Sequence, residues 1–387
     1  MKEPKLRFKE GNGMQFPDWE EKKIGELGTF TKGAPLSKAD ISDCGVPLIL
    51  YGELYTTYNE VAYDIKRRTQ SEVDKKYYSL VGDVVIPTSG ETAEEISTAT
   101  CVMAQNVILA GDLNIYRSDI VDGRIMSYIL NHQAKWKIAT LAQGKSVVHI
   151  QATQISGVAV KYPPSIVEQQ KIASLFTELD ALIQSAEKEL EGYRELKQGM
   201  LQKMFPKKGE KVPKIRFPEF TGNWEQRKLN EVVAYTSSSL AAKDAKDDGL
   251  YDLYDANEII GKTDVKCISQ PYISIIKDGS GVGRVRILPS NTMIIGTMGA
   301  ITSKSSDLHF IYALLTKADL GMLISGSSIP HIYFKDYGNE CYLIPNLQEQ
   351  KKIGEYFSNL DNLIALQQKE IDGYKELKKG LLQQMFC

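Results

Sequence analysis

Apolar positions along this chain follow two regimes. Over residues 164–205 and 345–386 they recur at helical spacing, and elsewhere they gather in short runs separated by Gly, Ser and Pro. In the first stretch Ile172, Leu175, Leu179, Leu182, Ala186, Glu189, Tyr193, Leu196 and Met200 advance in alternating steps of 3 and 4, the spacing of a coiled-coil seam. Ile353, Tyr356, Leu360, Leu363, Gln367, Glu370, Tyr374, Leu377 and Leu381 repeat it. A single helix over 171–203 is ~50 Å long at ~1.5 Å per residue. Two matching seams in one chain are expected to pack on each other; the alternative is that each pairs with a second copy of itself. Polar residues at Glu189, Gln367 and Glu370 point to specified pairing rather than a uniform leucine seam. Gly192, Gly199, Gly373 and Gly380 each cost about 1 kcal/mol inside a helix, so they are expected to permit close helix–helix approach.

The two stretches are copies. They align without a gap at an offset of 181, with 22 of 42 positions identical. A single recurrence at that distance is not a solenoid, whose period is ~20–50 residues. The repetition extends outward: Pro4-Lys5-Leu6-Arg7-Phe8 returns as Pro213-Lys214-Ile215-Arg216-Phe217, and Trp19–Ile24 as Trp224–Leu229. Gly144-Lys145-Ser146-Val147-Val148-His149-Ile150 is echoed by Gly326-Ser327-Ser328-Ile329-Pro330-His331-Ile332. The predicted organisation is therefore a body over 1–160, a helix over 161–206, a second body over 207–343 and a second helix over 344–387. Short runs at Val46–Leu50, Asp83–Pro87, Thr100–Ala104, Tyr272–Ile276, Arg284–Leu288 and Met293–Gly296 predict strands, and Met126–Ala142 and Leu308–Leu323 predict helix. Each body is thus a mixed α+β domain. Similar ends around dissimilar middles suggest one scaffold presenting two different surfaces.

Several classes are disfavoured. No apolar run reaches the ~20 residues of a membrane span, and the first residues, MKEPKLRFKEGNG, lack the apolar core of a signal peptide. Five scattered cysteines without a C-x-x-C pair fit a reducing cytoplasm rather than a disulfide framework or zinc site. Ala256-Asn257-Glu258-Ile259-Ile260-Gly261-Lys262-Thr263 approximates a phosphate loop, but β-like residues follow where a helix is required, so it reads as a turn. Lys161-Tyr162-Pro163-Pro164 lacks the Asn or Asp that would hold a target amine, and reads as the stop before the long helix. Gly279-Ser280-Gly281-Val282-Gly283 precedes no helix and is a poor dinucleotide loop. His149 and His331 share one motif and have no catalytic partner at instructive spacing. No catalytic constellation emerges.

Formal net charge is −2, with 18 basic against 20 acidic residues over 1–160 and 17 against 16 over 207–342. A domain gripping nucleic acid alone is usually strongly basic, so any phosphate contact here is local or shared with a partner. Candidates are Lys66, Arg67, Arg68, Lys75 and Lys76 near Tyr63, Tyr77 and Tyr78, with the Ser89-Gly90 turn and Lys145. In the second body they are Lys243, Lys246, Lys262, Arg284, Arg286, Lys304 and Ser305, near Tyr251 and Tyr254. Arg with Ser and Gly loops is the chemistry of phosphate clamps and guanine edges, although a short basic pair alone is an ordinary solvated face.

The order body–helix–body–helix, the E-Q-x-K-I openings at Glu168–Ile172 and Glu349–Ile353, and the G-Y-x-E-L-K runs at Gly192–Lys197 and Gly373–Lys378 resemble the specificity (S) subunits of type I restriction–modification systems. The resemblance covers essentially the full length. It implies an α+β fold with two target-recognition domains, two long helices packed as an antiparallel coiled coil, and an internal pseudo-twofold repeat. It also implies a noncatalytic, cytoplasmic subunit that reads a split double-stranded DNA target. Its expected partners are two methyltransferase (M) subunits and restriction (R) subunits, which carry S-adenosylmethionine, ATP and Mg. By that likeness Ile172, Leu179, Leu182, Gly192, Tyr193, Leu196, Ile353, Leu360, Leu363, Gly373, Tyr374 and Leu377 belong to the helix–helix and M-subunit scaffold. A ~50 Å spacer is commensurate with two reading surfaces about one DNA turn, ~34 Å, apart. Inserting four residues near Ala186 is then expected to change target spacing but not the half-sites. The rivals are a coiled-coil adaptor without a DNA role, which salt-dependent retention on DNA would count against, and a DNA-modifying enzyme, which requires cofactor binding by this chain.

Overall fold

The computed structural model describes residues 4–11, 13–144, 147–326 and 328–386. Two compact units divide the chain, residues 1–185 with 371–387 and residues 186–370. Both heptad stretches are continuous helices, a central one at Ile166–Lys203 and a C-terminal one at Leu347–Met385. Their starts are set locally. Ser165 Oγ accepts the Glu168 N–H at 3.4 Å, and Asn346 Oδ1 accepts the Glu349 N–H at 3.0 Å, each serving as an N-cap just after proline.

In the first unit a five-stranded sheet runs in the order Thr29–Lys32, Leu113–Arg117, Asp83–Pro87, Thr100–Val102, Val61–Ala62. Strand alternation gives it two buried faces. Val84, Ile86 and Tyr116 face a core shared with the helix Gly123–Tyr128, while Val85, Leu113 and Ile115 face Ile49, Leu54 and Leu109. Ile49 and Leu109 belong to a smaller sheet of Arg68–Thr69, Val46–Leu50 and Ile108–Ala110. The same helix-side core takes Ile172, Ala173, Phe176 and Leu179 of the central helix and Leu382, Met385 and Phe386 beyond residue 370.

In the second unit four antiparallel strands follow the order Val233–Ser237, Met298–Ser303, Tyr272–Ile276, Val285–Leu288. Ile273, Ile275 and Ile301 pack toward the helix Leu308–Lys317, while Tyr272, Leu288 and Ala300 pack with Ile294 of a three-stranded sheet. Phe205 stacks at 5.5 Å on Phe310, fixing the end of the central helix into this core.

Within each unit the helix segments run antiparallel. In the first, Phe176 meets Phe386 at 6.5 Å and Asp180 meets Lys378 at 2.8 Å; in the second, Arg194 donates to Gln368 at 3.4 Å and Lys197 pairs with Asp361. The seam, however, is in the other heptad phase. The buried positions that follow this phase are Ile172, Phe176, Leu179, Ile183, Ala186, Leu190 and Met204 on the central helix, and Ile353, Phe357, Leu360, Ile371, Lys378 and Met385 on the C-terminal helix; Leu201 and Leu382 are also buried. Ile172, Leu179, Ile353 and Leu360 hold their expected places, and Tyr193 and Tyr374 are half-buried. Leu182, Leu196, Leu363 and Leu377 do not: they are 47, 46, 42 and 50% exposed, and Glu189 and Glu370 lie outside with them. The repeat alternates 4 and 3 rather than 3 and 4, because Phe176, Ile183 and Leu190, with Phe357 and Ile371, bury more completely than Leu175, Leu182, Glu189, Tyr356 and Glu370 beside them. The glycine expectation is also corrected. A Cβ built on Gly192, Gly199, Gly373 or Gly380 meets nothing within 4 Å, so none of them serves a close approach between these helices.

Candidate functional site

Motifs repeated in both halves form a clamp at the start of each long helix. In the first unit Arg7 donates from Nε and Nη2 to Glu168 Oε1 and Oε2 at 3.0 and 2.9 Å, and Trp19 Nε1 reaches the same Oε1 at 3.4 Å. In the second unit Arg216 holds Glu349 at 2.7 and 2.8 Å, and Trp224 Nε1 reaches it at 3.2 Å. Both glutamates are fully buried. A buried carboxylate needs this bidentate pairing to offset its desolvation. The neighbouring Gln169 accepts the Asp122 N–H at 2.7 Å and donates to the Pro163 carbonyl at 2.9 Å; Gln350 repeats this with Asp307 at 3.0 Å and Pro345 at 2.8 Å. The E-Q pairs thus join body to helix.

The lysine closing each G-Y-x-E-L-K run turns into the helix pair. Lys197 pairs with Asp361 in the second unit. Lys378 reaches Asp180 at 2.8 Å and Glu60 at 2.9 Å, and Glu60 also meets His132 Nε2 at 3.3 Å. Burial drives the Glu60 carboxyl upward, but the His132 hydrogen bond and the Lys378 charge outweigh it and bring it down to about 2. Burial, assisted by the Glu60 charge, pushes Asp180 up against the pull of Lys378. Burial lowers Lys378, and its two carboxylates more than reverse that, leaving it raised.

Backbone hydrogen bonds tie the two ends of the G-x-S-x-x-H segment together in both halves. Gln143 and His149 exchange both backbone hydrogen bonds, as do Ser325 and His331. At the glycines φ is +144° for Gly144 and +92° for Gly326, and a Cβ there would lie 1.9 Å from the Val147 carbonyl and 2.4 Å from that of Ile329. Any other residue would clash. His331 Nδ1 meets Asp278 at 2.8 Å. Lys145, Ser146 and Ser327 lie outside the described residues.

The first body's basic candidates are not one patch of free cations. Lys66 pairs with Asp64, Lys76 lies 3.8 Å from Asp74 and over the Tyr77 ring, and Arg68 Nη1 donates to the Gly45 carbonyl at 3.0 Å. Lys75 occupies the exposed turn beside Lys76. Ser89 and Gly90 are corrected as reading residues: both are buried in a strand paired with Val148–His149, and Ser89 Oγ donates to Asp112 at 2.7 Å. Arg67 differs from the rest. Its Nε lies 2.8 Å from Oε1 of the buried Glu53, and neither terminal nitrogen donates a hydrogen bond among the described residues. It lines a cleft of about 740 Å³ with Lys38, Tyr51, Tyr55, Glu91 and Asp112. Glu53, which orients it, was not singled out in the sequence; the signal was a polar residue inside the run Leu50–Leu54.

In the second body Arg284 and Arg286 hold the 255–258 turn. Arg284 Nη2 donates to the Ala256 carbonyl at 2.6 Å and to Asn257 Oδ1 at 2.8 Å, and Arg286 donates to the Asn257 and Asp255 carbonyls at 2.6 and 3.1 Å while its guanidinium lies over Tyr254. These bonds correct both arginines from free readers to turn supports. Lys246 pairs with Asp264 at 2.8 Å; Lys243 and Lys262 are exposed near it. Lys304 donates to the Asn230 carbonyl at 2.9 Å and stands, with Ser305, apart from that group. Ile259–Thr263 is a strand, so the phosphate-loop-like segment is a turn and strand. A cleft of about 740 Å³ beside residues 206–211 brings Lys207, Lys208, Lys211 and Lys317 near Trp224, a grouping the sequence reading did not single out. Among the described residues there is no group of His, Cys, Asp or Glu able to hold a metal ion, and no helix long and apolar enough to cross a membrane.

Comparison with known proteins gives a consistent result. Residues 17–192 and 221–375 match the family described as type I restriction modification DNA specificity domain. The specificity subunit of the type I restriction enzyme MjaVIII of Methanocaldococcus jannaschii is 24% identical, covering 97% of this chain and 94% of that protein. A putative MjaX specificity subunit from the same organism is 21% identical over 94% and 92%. Among solved structures, an S subunit of a type I restriction–modification system from M. genitalium has TM-score 0.71 at 17% identity, covering 100% of this chain and 99% of that one. A chain from a structure of type I R-M complex assembly and conformational transition has TM-score 0.54 at 16% identity, over 96% and 98%.

Proposed function

The chain belongs to the type I restriction modification DNA specificity family, and from that premise we propose that its two bodies each read one half of a split DNA target. The chain is noncatalytic; methylation and cleavage occur on methyltransferase and restriction subunits, which bring S-adenosylmethionine, ATP and Mg. The long helices set the gap between half-sites and dock the methyltransferase subunits. The observation that carries this reading is the repetition of the clamp and the lysine–aspartate pin in both halves, their helix residues at an offset of 181, around bodies whose arginines are arranged differently. One mount repeated under two unlike surfaces suits a target whose halves differ. Near-neutral charge in each body suits a grip on phosphate shared with partners.

Co-expression with methyltransferase subunits, followed by base-resolution mapping of N6-methyladenine, tests this. A single two-part motif is expected, with one half altered when one body is exchanged. A stable complex that leaves no motif would instead favour an adaptor without DNA reading.

A further inference from the structure

We infer that Arg67 is the side chain with which the first body reads a guanine, through the O6 and N7 edge of that base. The inference rests on the proposed DNA reading and assigns one of its contacts. Among the described residues Arg67 is the one arginine of the first body with no hydrogen bond from either terminal nitrogen. Arg7, Arg117 and Arg124 each make two bonds to one carboxylate, on Glu168, Asp83 and Asp122, and Arg68 is tied to the Gly45 carbonyl. Arg67 is held only at Nε, by Glu53, whose other oxygen is fixed by the Leu50 N–H at 3.0 Å. The Arg67 carbonyl accepts the Leu48 N–H at 2.9 Å, so backbone and guanidinium are both oriented before any ligand arrives. A guanidinium steadied at Nε presents its terminal nitrogens as a parallel pair of donors, the fork that matches guanine O6 and N7.

The charge of the cleft separates a base edge from a phosphate. Its lining holds two cations, Lys38 and Arg67, against three carboxylates, Glu53, Glu91 and Asp112. An acid-leaning wall repels a phosphate, whereas a base edge is neutral and the outer carboxylates suit a cytosine amino group. Tyr51 and Tyr55 add flat apolar surface at the rim.

The test uses the full-length chain assembled with methyltransferase subunits and selection from randomised duplexes. The wild-type complex is expected to select a two-part motif with a guanine in the half-site of the first body. Arg67→Gln is expected to keep the rest of the motif and lose preference at that position by about 5- to 150-fold. Because Arg67→Gln leaves Glu53 unpaired, a second measurement needs no variant. Replacing that guanine by 7-deazaguanine removes N7, and should weaken wild-type binding while leaving Arg67→Gln unaffected. Uniform weakening across all sequences would make Arg67 a phosphate contact and overturn the inference. So would an unchanged motif, or a 7-deazaguanine penalty equal in both proteins. A wild-type complex that selects no two-part motif would fail earlier, at the proposed function itself.

Discussion

Lys378 sits between Glu60 and Asp180 with its side chain almost wholly covered, so the charge balance around it is local and unforgiving. Removing it leaves two carboxylates facing each other in a poorly solvated site. Lys378→Met is expected to destabilise the first unit by about 3–5 kcal/mol, measured by denaturant unfolding. Lys197→Met should cost less, since Asp361 keeps a third of its side chain in water. The pH dependence has a definite sign. The folded pKa of Glu60, about 2, lies below its ordinary 4.5, so its contribution is present above pH ~4.5 and drains away as pH falls toward 2. Asp180, raised by burial, works in the opposite direction and softens that loss. Wild-type protein should therefore lose stability across this acid window, and Lys378→Met should show a flatter limb in pH-dependent melting. Nothing in the residue pattern paired Lys378 with Glu60, which lies 318 positions away. The residue types were legible; their partners required the fold.

For the helices, the length, position and repetition were all legible in the sequence, because a heptad of apolar residues has no other economical reading. The phase was not. Leu182, Leu196, Leu363 and Leu377 attract the eye as seam residues, yet each stands beside a better-buried neighbour: Ile183, Lys197, Ile364 and Lys378. A lysine seldom looks like a seam residue until its aspartate is found. The signal lay in comparing the copies, since one phase gives Glu189 and Glu370 where the other gives Leu190 and Ile371. Mutational unfolding distinguishes the phases. Leu179→Ala should cost about 2–5 kcal/mol, while Leu196→Ser should change stability by no more than about 0.5 kcal/mol. Gly192→Ala and Gly373→Ala meet open space and should each stabilise by roughly 0.5–1 kcal/mol. If those faces dock methyltransferase subunits, as proposed, the same substitutions should weaken assembly in a pull-down while the melting temperature rises.

For the whole molecule, repetition was the strongest message of the sequence and has a physical basis: Arg7 with Glu168, Arg216 with Glu349, and the lysine pins all recur with the helices they serve. The reading surfaces were far less legible, because exposed basic residues carry no pattern that separates a base contact from an Arg286 supporting its own turn. The expected effect of lengthening the helices also changes once the pins are known. From Asp180 to Lys197, and from Asp361 to Lys378, the chain advances the same 17 residues, or ~26 Å of helix. A four-residue insertion near Ala186 alone would unbalance these intervals and introduce a stutter into the seam. Seven residues added to both intervals restore the heptad and keep both pins. Each helix would then lengthen by ~10 Å, equivalent to about three base pairs of rise at ~3.4 Å each. The expected outcome is a methylation motif whose gap is longer by about three positions and whose two half-sites are unchanged. An unchanged gap in a folded, methylating complex would mean that something other than helix length sets the spacing.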